Sequence, residues 1–173
     1  RRSSDLTART REEWFMRIRE AEELGFLVSA VSFVTPGIID KKGLTLSIHT
    51  ALTKTLIVVT SRKGGPSCSA KSISRKDRPS FFRILLDGGL KAPVQYENQE
   101  TIIKGDEKEL VIALASIVAK VTRDARMIKL GKRFPAYGFE KHKGYGTRAH
   151  YTAIKKHGIT PHHRKSFLKG IVK

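Results

Sequence analysis

The sequence predicts an α/β fold built around a largely central sheet. Three observations predict it. Apolar residues recur at helical spacing in several segments, short apolar or valine-rich runs lie between them, and the two kinds of segment alternate along the chain. The 173 residues are the length of about one domain at ~100–200 residues per domain. Hydrophobic residues at 39% and charged residues at 29% make an ordinary globular mixture, large enough to bury a core unaided. We read residues 1–130 as a core and residues 131–173 as a basic C-terminal region of the same domain.

Taken in order, Thr7 is placed to cap a helix over residues 9–24, with Gly25 as its stop. Trp14, Ile18, Ala21 and Leu24 share the face expected to pack. Residues 26–34 (FLVSAVSFV) alternate loosely and predict a strand, ended by Pro36-Gly37. Ile48, Leu52 and Leu56 predict a second helix over 44–56. Residues 60–80 are serine-rich and hold Gly64-Gly65-Pro66 and six Lys/Arg against one Asp. They read as an exposed basic loop, and a solvated insertion is the simpler account of it. Residues 81–86 (FFRILL) have the pattern of a buried strand, and 101–103 that of another short one. The longest helix is expected over 106–130, capped by Asp106, with Leu110, Ala113, Ile117 and Lys120 to Val121 on its buried stripe. A short helix is expected over 147–156.

The charge is unusual. Thirty-four Lys and Arg against 16 Asp and Glu leave a formal +18, which favours a polyanionic partner, nucleic acid first and an acidic membrane surface next. Twelve Lys/Arg and one acid, Glu140, lie between Lys129 and Lys173, the main candidate for phosphate contacts. No apolar run is expected to approach the ~20 residues of a membrane span. One cysteine, Cys68, excludes an internal disulfide framework and a multi-cysteine zinc site, and suits a reducing, cytoplasmic setting. The chain opens on Arg1-Arg2 and is expected to be processed or a piece of something longer.

Asp87 follows FFRILL and precedes Gly88-Gly89. A carboxylate at a strand end, beside glycines that admit a ligand to the backbone, suits a metal or substrate site; Asp-Gly also simply begins turns. Asp106, after Lys104-Gly105, is explained by capping when taken alone. Together the two acids could share a hard divalent cation, since Mg²⁺ is held by few carboxylates plus phosphate oxygens. Two-metal phosphodiester hydrolysis is the use that reconciles acids with a cationic surface.

His142-Lys143-Gly144-Tyr145-Gly146-Thr147 combines charge, hinges and a flat ring, a mixture able to hold phosphate and sugar, or equally an ordinary turn. Five of the six histidines follow residue 141; scattered hydrogen-bonding histidines are preferred to a zinc site, although His150 and His157 could share a face. Ala113, Ala115, Ser116 and Ala119 read as close helix packing, and Asp124 as a structural or salt-bridging residue.

The segments ILLDGGLKAP (84–93), QETIIKGDEK (99–108), ASIVAKVTRDARM (115–127), FPAYGFEKHKGYGT (134–147) and HRKSF (163–167) strongly resemble ribonuclease HII. LTARTRE (6–12) and Ile39-Asp40 fit too, so the resemblance covers nearly all of the chain outside residues 61–80. It implies a ribonuclease-H-like mixed sheet flanked by helices, with a helical basic C-terminal region, and a monomer. It implies cleavage of RNA in RNA·DNA hybrids, including single ribonucleotides in duplex DNA, at four carboxylates that bind two Mg²⁺ or Mn²⁺ ions. Two of the four match Asp87 and Asp106. Tyr145 matches the tyrosine that stacks on the sugar at the RNA–DNA junction, with Lys143 and Gly144 beside it in the substrate-binding motif; a 2′-hydroxyl contact is what tells RNA from DNA. The family's first strand, Asp-Glu-x-Gly-Arg-Gly, has no match here, and Arg2-Ser3-Ser4 stands where the family has Asp-Ser-Lys. The expectation is an N-terminally truncated or altered copy, weak or inactive alone, with a non-catalytic basic nucleic-acid-binding module as the alternative. A basic structural protein of a ribonucleoprotein is a third reading, but it gives Asp87 and Asp106 nothing to do.

Overall fold

A computed structural model describes residues 5–61 and 82–171; most of the basic loop expected at 60–80 lies outside the described residues. The chain divides into two compact units, one of Arg1–Ser32 and His49–Val121, the other of Phe33–Ile48 and Thr122–Lys173.

In the first unit, helix α1 (Ala8–Glu23) starts as its sequence predicts: the Thr7 hydroxyl accepts from the Thr10 N–H at 3.1 Å. Such a cap is worth about 1 kcal/mol. Its packed face is narrower than expected. Ile18 is buried, but Trp14 and Leu24 are exposed. Ile18 packs with Ile117 and Val118, flanked by Phe15, Leu27, Leu114 and Val121.

Residues 27–35 are irregular, which corrects the strand expected at 26–34. A strand needs a ladder partner for its backbone groups. Among the described residues none pairs with this segment, and the Ser29 N–H donates to the Glu22 carboxylate instead, at 2.5 Å.

Helix α2 (Pro36–Lys42) belongs to the second unit. It begins on the proline expected to end a strand, because at a first helical position the missing N–H costs nothing. Helix α3 (Leu44–Ser61) runs further than expected. Its 18 residues and mean hydropathy of 1.2 are enough to cross a membrane by length and composition, correcting the expectation that no segment is. Leu52 and Leu56 on it pack against a cluster of Ile84, Leu86, Ala92 and Tyr96, while Leu44, Leu46, Ile48, Ile57 and Val58 are exposed.

Strands β1 (Ile84–Asp87) and β2 (Gln99–Ile102) form a parallel pair, with Ile84 opposite Gln99 and Asp87 opposite Ile102. Among the described residues they are the whole sheet. The Gln99 side chain straps the connection down: its amide group bonds the Ala92 N–H at 2.7 Å and the Tyr96 carbonyl at 2.9 Å.

The long helix expected from Asp106 is two helices. One turn, α4 (Gly105–Lys108), precedes α5 (Leu110–Arg133), with Glu109 extended between them at φ −119° and ψ 118°. Asp106 therefore lies within a first turn rather than capping it; Lys104 holds the cap position. The buried stripe of α5 is rotated as well. Ile112, Ile117 and Val118 are buried, and Leu110 is exposed.

The second unit is mostly helical. A 3-10 turn (Pro135–Tyr137), α6 (Phe139–His142), α7 (Arg148–His157) and a second 3-10 turn (Lys165–Phe167) surround Tyr137, Phe139, Ile154 and Leu168. Helix α7 begins one residue later than expected, with Thr147 as its cap, the Thr147 hydroxyl accepting from the His150 N–H at 3.2 Å.

Candidate functional site

Asp87 ends β1, and the Gly88 N–H closes the ladder on the Ile102 carbonyl at 3.1 Å. After β2 the chain turns through Lys104, which is left-handed at φ 56°. That conformation costs a non-glycine residue roughly 1–2 kcal/mol. Its effect is to aim the Gly105 N–H back at the sheet, where the Asp87 Oδ1 accepts it at 2.8 Å.

Gly105 is buried, and a Cβ there would come within 2.6 Å of Ile112 Cδ1 and 3.3 Å of Asp87 Oδ1. Only glycine lets the turn close this tightly. The structure thus ties the exposed Asp87 carboxylate to the residue directly before the half-buried Asp106. One Asp87 oxygen is committed to holding the turn.

Asp87 and Asp106 are the residues here that could hold a hard cation, which would need water and phosphate oxygens to complete its shell, as Mg²⁺ usually does. A cage supplied by protein alone is a different matter. Among the described residues no group of three or more His, Cys, Asp or Glu could hold a metal.

In the second unit, the loop after α6 presents Tyr145. Lys143 is left-handed at φ 51° and Gly144 follows at φ 78°. The Gly144 N–H donates to His142 Nδ1 at 3.1 Å, and His142 Nε2 donates to the Tyr137 carbonyl at 2.8 Å. The Tyr145 carbonyl accepts from His150 Nδ1 at 2.9 Å. Gly146 lies against the Tyr151 hydroxyl, leaving no room for a side chain. Tyr145 as a residue is 61% exposed. The Arg123 guanidinium sits 4.6 Å from its ring centroid and donates to its hydroxyl at 2.9 Å and to the Lys143 carbonyl at 3.2 Å.

The histidines are not scattered. Buried His150 and His163 meet Nε2 to Nε2 at 3.2 Å, and His142 stacks on His150 at 4.2 Å. Tautomers follow from the partners. His150 gives its Nδ1 proton to a carbonyl, and His163 Nδ1 accepts the Thr160 N–H at 3.0 Å. One proton, on His163 Nε2, therefore serves both facing nitrogens, and both rings are neutral. Burial pushes the His150 pKa below its ordinary value, and charge on His142 would lower it further. Burial likewise lowers that of His163, with His150 the next cause. His157, proposed to share a face with His150, is exposed.

Asp40, on α2, accepts from the Lys165 and Ser166 N–H groups at 2.9 and 3.0 Å and from the Ser166 hydroxyl at 2.5 Å. Its carboxyl is held below the usual range, chiefly by Ser166. Arg123, His163 and Asp40 were not among the expected functional residues. Each meets its partner across a gap in sequence that no local pattern encodes.

The family model described as ribonuclease HII matches residues 3–170. A ribonuclease HII of Endomicrobium trichonymphae is 38% identical over 165 residues, covering 95% of this chain and 68% of that protein. Those of Clostridioides difficile and Psychromonas ingrahamii are 60% and 51% identical over 75 and 89 residues, or 43% and 51% of this chain. These two matches span 29% and 42% of the relatives' own length. Helices around a parallel strand pair, together with these matches, define the class: a mixed α/β protein of a nuclease family. Within it, the chain belongs to the ribonuclease HII family of type II ribonuclease H endonucleases.

Proposed function

We propose that this protein cleaves the RNA strand of RNA·DNA hybrids, including single ribonucleotides embedded in duplex DNA. Asp87 and Asp106 serve as carboxylate ligands for Mg²⁺ or Mn²⁺. The single observation that carries the reading is the Asp87–Gly105 bond, which brings two acids 19 positions apart in sequence to one strand end and its adjoining turn. The parallel β1–β2 pair fits a ribonuclease-H-like core in which a mixed sheet carries the carboxylates.

When bound, divalent ions supply an activated water and stabilise charge on the scissile phosphate, in the two-ion form for which the family's four-carboxylate set is built. The chain's own residues do the rest. Asp87 holds the turn with one oxygen and would have the other to offer a cation. Tyr145 offers a flat ring to a sugar, Lys143 adds charge for a phosphate, and Gly144 lets backbone approach backbone. The products are 5′-phosphate and 3′-hydroxyl ends. The basic region 131–173 supplies phosphate contacts, and a reducing, cytoplasmic setting fits the lone Cys68.

The test is incubation of the chain with a duplex holding one ribonucleotide and with Mg²⁺ or Mn²⁺. Cleavage at the ribonucleotide, lost in Asp87→Asn, is expected. Salt-sensitive binding without cleavage would replace this reading with that of a basic binding module.

A further inference from the structure

We propose that Arg123 is a positioning residue that fixes the plane of the Tyr145 ring, covers one of its faces, and so restricts substrate stacking to the other. The inference rests on the proposed contact between Tyr145 and nucleic acid. Arg123 and Tyr145 lie 22 positions apart, and their contact has two independent parts. The guanidinium lies 4.6 Å from the ring centroid, within the range of a cation–π interaction, and also donates to the phenol oxygen at 2.9 Å. Its second arm reaches the Lys143 carbonyl at 3.2 Å, at a residue whose φ is 51°.

A guanidinium is a rigid planar fork, so one arm on the loop backbone and the other on the ring tip set both at once. The loop is gripped from its far side as well, since His150 Nδ1 donates to the Tyr145 carbonyl at 2.9 Å. An exposed tyrosine anchored at its hydroxyl, one ring face and its own carbonyl is a preorganised surface. Preorganisation of this kind raises affinity by reducing what must be ordered on binding.

Two alternatives give different signatures. A plain phosphate contact by Arg123 would survive replacement by lysine and would contribute about one unit to the salt slope of binding. A positioning fork does neither, because lysine cannot reproduce its two-armed geometry.

The experiment measures binding of the full chain to a duplex carrying one embedded ribonucleotide, by fluorescence anisotropy across a salt series. The proteins are wild type, Arg123→Met, Arg123→Lys, Tyr145→Ala and Arg123→Met/Tyr145→Ala. Tyr145→Ala is expected to weaken binding roughly tenfold, the scale of one lost aromatic stack. Both Arg123 variants should weaken it several-fold with the salt slope unchanged, and Arg123→Met should cost nothing further once Tyr145 is alanine. Additive losses, or wild-type affinity in Arg123→Lys with a lower slope in Arg123→Met, would overturn the positioning role and leave the Tyr145 contact standing. No loss in Tyr145→Ala would overturn that contact and this inference with it.

Discussion

The Asp87 side chain accepts the Gly105 N–H at 2.8 Å, so the end of one strand fixes the start of the turn that carries the second acid. Charge and shape are separable here. Asp87→Asn keeps an acceptor oxygen for Gly105 but removes the charge. It should leave the unfolding midpoint nearly unchanged while abolishing metal-dependent cleavage. Asp87→Ala strands the Gly105 donor and should cost about 1–2 kcal/mol in urea unfolding.

Gly105→Ala tests the close approach directly. The added methyl would meet Ile112 Cδ1 at 2.6 Å, so the buried isoleucine must shift. Overpacking of this kind costs about 1–3 kcal/mol. Denaturant unfolding should show that loss, and Gly105→Ala combined with Ile112→Val should recover part of it.

The left-handed lysines invite the opposite change. Lys104→Gly relieves a strained φ of 56° but loosens the unfolded chain. The two effects nearly cancel, and stability should change by less than about 1 kcal/mol. Lys104→Val, β-branched at the same φ, should lose about 1–2 kcal/mol or more. Equal stability of the two variants in thermal unfolding would contradict the strain argument.

These features show what local sequence encodes. Thr7 was readable as a cap because a cap needs only its own next three residues. Part of FFRILL was readable as a strand from its apolar run, but the strand is Ile84–Asp87, with Phe82 and Arg83 before it. Residues 26–34 were misread because strand formation depends on a partner, which valine content does not supply. The break at Glu109 and the positive φ of Lys104 and Lys143 were invisible, since lysine carries no turn signature. Asp87 and Asp106 stood out as residues, but the bond that relates them spans 18 positions and appears only in the fold.

Stability should fall on acidification. His150 and His163 both titrate below their ordinary 6.5, chiefly because they are buried and secondarily because of neighbouring histidine rings. Below about pH 6.5 the unfolded chain then binds more protons than the folded one. Their contribution is complete above that pH and is lost as pH falls through the lowered folded values. Urea midpoints at pH 8 and pH 5.5 should show the decline, reduced in His163→Leu. A midpoint that holds or rises at pH 5.5 contradicts the shared-proton arrangement.

Asp40 should matter locally. Asp40→Ala should speed hydrogen exchange at the Lys165 and Ser166 amides, which it accepts at 2.9 and 3.0 Å. Its stabilisation is present above the ordinary carboxyl value of 3.8 and is lost as pH falls through the lower folded value.

The most direct test of the whole account is a Mn²⁺ titration of the intact chain, followed by electron paramagnetic resonance, for wild type, Asp87→Asn, Asp106→Asn and the double variant. If both side chains ligate one ion, each single change weakens binding at least about tenfold, and the double change falls well short of the product of the two. Mn²⁺ binding as tight in both single variants as in wild type would contradict it.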